Sequence, residues 1–130
     1  MQVRRRVALG AAIGAVTAAC ALAPAAVVAG GAPSSTSKTY NVKVRDDYYS
    51  PINVKVRKDD KVKWAWGSTN INSHDVTLKK APKGVKKGDY RSISGAIGIT
   101  FKRKFTVPGT YNFYCTIHPD VMYMDVVVKK

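Results

Sequence analysis

The sequence predicts an all-β domain, folded as an antiparallel sandwich or barrel. From Thr39 onward apolar and polar residues alternate with a period of two, which is typical of strands with one buried face. No stretch of this region shows the period of an amphipathic helix. Turn-forming residues separate the alternating runs at short intervals. Many short strands without helices favour a sandwich or a barrel.

Seven alternating runs predict seven strands. Turn-forming residues interrupt the alternation at Ser50-Pro51, at residues 58–60 and 67–72, and at Pro108-Gly109. The long segment of residues 79–98 is rich in lysine and glycine and predicts an exposed, mobile excursion. The predicted inward residues are Tyr40, Val42 and Val44; Ile52, Val54 and Val56; Val62, Trp64 and Trp66; Val76 and Leu78; Ile99, Phe101, Phe105 and Val107; Tyr111, Phe113 and Cys115; and Met122, Met124, Val126 and Val128.

Length and charge limit the class of protein. The chain has 130 residues, and its first 33 hold three of the 22 Lys and Arg residues but no acidic residue. The remainder has 19 basic and eight acidic residues, a net charge near +11. A chain of this length forms one small core, which buries roughly 60–65% of the unfolded surface. Two cores, a large cofactor cavity and a multi-helix membrane bundle are excluded.

The N-terminus has the pattern of an export signal. Three arginines at positions 4–6 precede an apolar run over residues 7–29 that is rich in Ala and Gly. We therefore expect a signal peptide at residues 1–29, a flexible linker at 30–38 and the folded domain at 39–130. An uncleaved membrane anchor is the alternative, because 23 apolar residues can cross a bilayer, and Cys20 allows a lipoprotein. Each alternative places the domain outside the cytoplasm, in the periplasm, on the cell surface or secreted.

Removal of the signal leaves Cys115 as the single cysteine of the mature domain. A lone thiol in an oxidising compartment cannot form an internal disulfide. It is therefore a small buried residue, a partner for another chain, or a ligand.

The few residues with ligand chemistry are grouped. Cys115, His118 and Met122 lie within eight residues, in the turn before the last predicted strand, and His74 begins the fourth run. A thiolate, two imidazoles and a weak thioether suit a copper ion that alternates between Cu(I) and Cu(II). Zinc more often recruits a carboxylate or a second cysteine. Each residue alone has an ordinary alternative as a core or turn residue, but chance grouping of all of them is improbable.

These motifs resemble those of a known family. The stretch PGTYNFYCTIHP at residues 108–119 is similar to the ligand loop of plastocyanin/azurin-type cupredoxins. Residues 72–76, NSHDV, resemble the strand that carries their upstream histidine, and residues 48–51 with 62–64 resemble their N-terminal hairpin region. The resemblance covers residues 39–130. It implies a Greek-key β-sandwich of seven to eight strands, a type 1 copper site and one-electron transfer.

The resemblance also implies the axial ligand. Two methionines compete, Met122 and Met124. Met122 lies four residues before Val126, as in relatives whose axial methionine precedes the last strand. Met124 is in phase with the inward residues Val126 and Val128. We therefore expect Met122 to be the axial ligand and Met124 to be a core residue.

Asp75 departs from the family pattern. Many relatives have Asn after the upstream histidine, where this chain has Asp75. In the family the backbone N–H of that residue meets the cysteine sulfur, which Asp still allows. The side chain commonly binds the hydroxyl residue after the cysteine, here Thr116. The resemblance thus implies an Asp75–Thr116 hydrogen bond and an extra negative charge near the metal.

We expect an electron carrier and no enzyme, because the chain has no Glu, no Ser–His–Asp arrangement and no spare histidine. An extracytoplasmic copper carrier or storage protein, with the same ligands, is the alternative. The lysines alternate along the strands like a solvated face, so we expect no nucleic acid partner, and we expect a monomer. The net charge and the lysine cluster of residues 79–87 predict an acidic redox protein as partner and salt-sensitive electron transfer. If the cluster lies near His118, a small anionic reagent should react faster than a cationic one. An uncleaved N-terminal segment would add membrane association.

Overall fold

The computed structural model describes residues 35–130. The predicted signal peptide and the first residues of the predicted linker lie outside this range. Residues 35–38 are exposed and lack regular structure, and the Lys38 amide donates to the Asp60 carboxylate at 2.8 Å. Within the described residues, no helix is long and apolar enough to cross a membrane.

Residues 35–130 contain eight strands and a 3₁₀ turn at Lys87–Tyr90; the strands are β1 Thr39–Arg45, β2 Tyr48–Ser50, β3 Asn53–Arg57, β4 Lys61–Trp66, β5 Thr77–Lys80, β6 Thr100–Lys104, β7 Gly109–Tyr114 and β8 Tyr123–Lys129. They form two four-stranded sheets, in the orders β2-β1-β4-β6 and β3-β8-β7-β5. This confirms the all-β, Greek-key sandwich of seven to eight strands. The sequence pattern missed β2, because three residues are too short to show alternation.

Two strand pairs are parallel, which corrects the expectation of an antiparallel sandwich. β1 pairs with β4, and β3 pairs with β8, both in parallel, while the other pairs are antiparallel. Alternation shows which face of a strand is buried. The same face is buried whether the neighbouring strand runs parallel or antiparallel. The sequence pattern therefore could not distinguish the two arrangements.

The core lies between the sheets and centres on Trp64. Its ring lies 5.1 Å from Phe113 and 5.5 Å from Phe101, measured between centroids, and its Nε1 donates to Met124 Sδ at 3.1 Å. Most predicted inward residues are buried. Ile52 is an exception, since it is 52% exposed. It lies just before β3 and not within the strand.

Residues 79–98 are largely exposed, as the sequence predicts, but they are attached to the sandwich at several points. Tyr90 is buried against Phe105 and Tyr111, and its hydroxyl donates to the Lys104 carbonyl at 3.0 Å. Further along, Gly95 pairs with the backbone of the fourth predicted run. The packing of Tyr90 and the backbone pairing of Gly95 thus attach the segment to the sandwich. Isolated contacts of this kind have no periodic signature, so alternation could not reveal them.

Candidate metal centre

Three predicted ligands converge at one end of the sandwich, where β4 and β7 end and β8 begins. The donor atoms of His74, Cys115 and His118 all lie within 4.8 Å of one another. His74 and Cys115 are fully buried, and the His118 side chain is 24% exposed. The fold thus brings together a histidine and a loop that are about 40 residues apart in sequence.

Backbone contacts on both sides hold His74 in place. Its carbonyl accepts a hydrogen bond from Trp66 Nε1 at 3.1 Å, and its amide and carbonyl pair with Gly95 at 3.0 and 3.1 Å. A Cβ atom on Gly95 would lie 2.6 Å from Cδ1 of Ile99, so a larger residue would require the end of that side chain to move. The imidazole leaves Nδ1 buried without any hydrogen-bond partner.

Cys115 follows β7 directly and begins the ligand loop. Its amide donates to the Met122 carbonyl at 3.0 Å, which closes the loop. Its sulfur accepts the amide of Asp75 at 3.4 Å. The Asp75 carboxylate accepts from the amide and the hydroxyl of Thr116 at 2.7 and 2.5 Å. These contacts confirm both roles that the family resemblance implies for Asp75.

His118 presents its ring at the edge of the site. Its Nδ1 lies 3.8 Å from Cys115 Sγ, and the centroids of the His118 and His74 rings are 4.9 Å apart. Its carbonyl accepts from the amide of Met122 at 3.0 Å, so the turn after the histidine is closed. Of the three converging side chains, His118 is the one that reaches solvent.

The two methionines have different surroundings. Met122 is fully buried, and its backbone is bonded to both Cys115 and His118. Met124 lies on β8 opposite Phe113, and its sulfur accepts the indole N–H of Trp64. The environment of Met124 is that of a core residue, as expected from its phase. The role of Met122 as a fourth ligand stays a prediction.

Sequence reasoning missed two carboxylates that contact the histidines. Asp46 Oδ1 lies 3.0 Å from His74 Nε2, and Asp47 Oδ1 lies 3.3 Å from His118 Nε2. The hydrogen bond with His74, supported by two backbone amides, holds the pKa of Asp46 below its ordinary value. Neither aspartate has a spacing motif relative to its histidine, so no signal in the sequence reveals them.

The residues present fit a copper ion. A buried polar atom without a partner costs about 1–3 kcal/mol, so the unpaired His74 Nδ1 indicates a ligand that the protein itself does not provide. One thiol and two imidazoles form the soft and borderline donor set that suits copper.

Comparison with known proteins gives the family. Residues 37–129 match the model of the copper binding proteins of the plastocyanin/azurin family. This chain is a cupredoxin. It is 33% identical to amicyanin-alpha of Methylorubrum extorquens over 116 residues, which cover 88% of this chain and 92% of the relative.

Solved structures support the same fold. A reduced amicyanin variant superposes with a TM-score of 0.55 at 26% identity, over 70% of this cupredoxin and 82% of the other chain. A copper-containing nitrite reductase from Thermus scotoductus superposes with a TM-score of 0.60 at 18% identity. That match covers 71% of this cupredoxin but only 22% of the reductase chain, and it shows the fold alone.

Most of the lysine cluster lies far from the metal centre of this cupredoxin. Pro82 packs on Gly109 at the start of β7, where an added Cβ would lie 2.6 Å from the proline ring. Cys115 follows the far end of β7, about 20 Å away at 3.4 Å per residue. Pro82 thus lies at the end of β7 opposite Cys115, and Lys83, Lys86 and Lys87 follow it in the chain, which argues against a position of these lysines near His118. Lys79 differs, since its Nζ lies 5.5 Å from the ring centroid of Tyr114.

Proposed function

We propose that this cupredoxin carries single electrons between redox proteins, with one copper ion bound by His74, Cys115, His118 and Met122. The convergence of two imidazoles and a thiol within 4.8 Å carries this proposal. Copper, when bound, supplies a one-electron couple between Cu(I) and Cu(II).

The protein side chains supply a preorganised site. Cys115 is fixed by the amide of Asp75 and by its own bond to Met122, and His74 is fixed between Trp66 and Gly95. A site held by locked side chains and their hydrogen bonds keeps one geometry. A fixed geometry favours electron transfer, because little has to rearrange when the charge at the site changes by one.

His118 is the proposed electron port. Its side chain is 24% exposed, whereas His74 and Cys115 are fully buried. The neighbouring Ile117 and Val121 are 46% and 61% exposed and provide an apolar rim. An apolar surface around a partly exposed ligand allows a partner to approach closely and exclude water.

An acidic redox partner remains a prediction that rests on the net charge near +11. The connecting segments at the site end, residues 46–47, 51–52, 67–76, 92–99 and 115–122, contain no Lys or Arg and hold Asp46, Asp47, Asp75 and Asp120. The net positive charge of the whole domain, and not a basic patch at His118, would thus attract an acidic partner and raise the encounter rate. The contact at His118 itself would depend on apolar residues.

We further propose export of a monomeric domain. The arginine-led apolar run at residues 1–29 supports a signal peptide, followed by a linker at 30–38 and the copper domain at 39–130. N-terminal sequencing of the protein recovered from outside the cytoplasm tests this. A mature chain that begins near residue 30 supports cleavage, whereas an intact N-terminus in the membrane fraction supports the anchor.

The absorption spectrum of the copper-loaded protein tests the proposed site. We expect an intense visible thiolate-to-copper band in the wild type. Cys115→Ser and His74→Ala should each abolish it, because each removes a strong ligand. Ser73→Ala, an exposed neighbour of His74, is the matched control and should keep the band. A band that survives Cys115→Ser would overturn the site.

Reversible voltammetry separates electron transfer from copper delivery. An electron carrier should cycle repeatedly between its two states and retain the metal. Loss of copper to a chelator on each reduction would favour the carrier or storage alternative. We propose no catalytic activity for this chain.

A further inference from the structure

One turn contacts both histidines of the candidate site. The turn between β1 and β2 is formed by Asp46 and Asp47. Asp46 Oδ1 lies 3.0 Å from His74 Nε2, and Asp47 Oδ1 lies 3.3 Å from His118 Nε2. Two adjacent carboxylates thus meet the outer nitrogens of two rings whose centroids are 4.9 Å apart.

The backbone of the turn allows this double contact. Asp47 has a φ of +66°, in the left-handed region that Asp and Asn tolerate better than most residues. The Asp46 carboxylate also accepts from the amides of Ile71 and Asn72 at 3.0–3.1 Å. Asp46 is therefore anchored to the segment that leads into His74, independently of its contact with the ring.

The contacts determine which ring nitrogen carries the proton. An ionised carboxylate only accepts hydrogen bonds, so in a neutral imidazole the nitrogen that faces it is the donor. Nε2 of His74, which is hydrogen-bonded to Asp46 at 3.0 Å, is then protonated, and its lone pair lies on Nδ1. His74 Nδ1 is the buried atom without a partner, and His118 Nδ1 lies 3.8 Å from Cys115 Sγ. The lone pair of His74 is thereby directed to the site.

We propose that Asp46 is a positioning residue that holds His74 in the Nε2–H form and leaves its Nδ1 free to bind copper, while Asp47 makes only a charged contact with His118. This inference rests on the proposed function, since it concerns one of the same ligands. Carboxylates that bind the outer nitrogen of a ligand histidine fix its tautomer and raise its basicity, and their loss typically costs 10–100-fold in metal affinity.

The two aspartates should differ in how strongly each affects its histidine. Asp46 contacts a fully buried ring and is itself about one-third exposed, whereas Asp47 is half exposed beside a ring that reaches solvent. Exposed charges are screened by salt and contribute little. We therefore expect a large effect of Asp46 and a small, salt-sensitive effect of Asp47.

Nitrogen NMR of the metal-free full chain tests the proposal without copper. At a pH well above the ordinary imidazole pKa, long-range proton–nitrogen spectra distinguish the two tautomers of each ring. We expect Nε2–H for His74 in the wild type and in Asp46→Asn, which keeps an acceptor oxygen, and a mixture of tautomers in Asp46→Ala. An Nδ1–H form in the wild type, or no change in Asp46→Ala, overturns the proposal.

Metal affinity gives the second measurement. Asp46→Asn removes the charge but can keep the hydrogen bond, so it should lower Cu(II) affinity more than Cu(I) affinity. A tenfold change in that ratio corresponds to a rise of about 59 mV in reduction potential. Asp120→Asn removes one exposed charge from the same end without touching either ring and is the control. Equal ratios in Asp46→Asn and Asp120→Asn would overturn the expected charge effect of Asp46, and a copper affinity of Asp46→Ala equal to that of Asp46→Asn would overturn positioning.

The two proposals fail in different ways. If copper loading gives no thiolate band but the tautomers are as expected, the electron-carrier proposal fails and the positioning of His74 stands. If the band is present but the tautomers do not respond to Asp46→Ala, the positioning proposal fails alone.

Discussion

The amide nitrogen of Asp75 lies 3.4 Å from the sulfur of Cys115. The same residue accepts two hydrogen bonds from Thr116 through its carboxylate. Asp75 therefore joins the strand segment that carries His74 to the loop that carries Cys115 and His118. It also places a buried negative charge beside the sulfur.

Asp75→Asn should raise the reduction potential and preserve the fold. Asn keeps the backbone N–H and one acceptor oxygen, but the negative charge that favours the more positive copper state is lost. We expect a rise on the order of 50 mV from the loss of one unit charge at short range. Voltammetry measures it. Asp125→Asn, which removes a charge on the outer face of β8, should shift the potential less, and equal shifts would contradict the argument.

Met122→Leu and Met124→Leu should separate the axial ligand from the core residue. Met122→Leu should keep the blue colour and raise the potential, because the weak axial bond favours Cu(II). Met124→Leu should leave the potential unchanged and lower the free energy of unfolding by about 1–3 kcal/mol, since the indole N–H of Trp64 loses its acceptor. A potential that responds to Met124→Leu and not to Met122→Leu would reverse the assignment.

Asp60 should make stability depend on acid pH. Its carboxylate accepts the amides of Lys38 and Arg57, both at 2.8 Å, and the Lys38 bond is the main reason that its pKa is lowered from 3.8. Because the pKa is lower in the folded state, its contribution is complete above the unfolded pKa and is lost as the pH falls through the folded pKa. Asp60→Asn should cost about 1–2 kcal/mol at neutral pH.

Urea unfolding over a pH series checks this prediction. The difference in unfolding free energy between the wild type and Asp60→Asn should shrink as the pH falls below about 4. Asp59→Asn is the control, because the ion pair of Asp59 with Lys104 is about half exposed and contributes little. A difference that is constant with pH would show that the Asp60 charge is not involved.

The lysines beyond Pro82 should have little effect on electron exchange at His118. They follow Pro82, which packs on Gly109 about 20 Å from the site end by strand length, and charges are screened beyond about 8–10 Å at physiological salt. Changing Lys83, Lys86 and Lys87 together to Gln should leave the salt dependence of reduction by a small anionic complex nearly unchanged. Lys79→Gln should flatten it, because Lys79 Nζ lies beside Tyr114 at the site end. A larger effect of the triple change than of Lys79→Gln would show that electrons do not enter at His118.

The sequence by itself determined the class of fold and the chemistry of the site. Alternation after Thr39 reports one buried face for each strand, which is a local property of the chain. Cys115 and His118 lie within four residues, so their grouping needs only one loop. Met124 was assigned to the core by its phase with Val126, and its hydrogen bond from Trp64 agrees.

Only the tertiary structure decided which distant segments meet the site. The parallel pairing of β1 with β4 brings the turn of Asp46 and Asp47 to the histidines, and a backbone bridge brings Gly95 to His74. The same fold places Pro82, which precedes Lys83, at the end of β7 opposite Cys115. Periodicity records burial along one strand, whereas strand order and direction depend on packing between segments far apart in the chain. That packing has no local signature in the sequence.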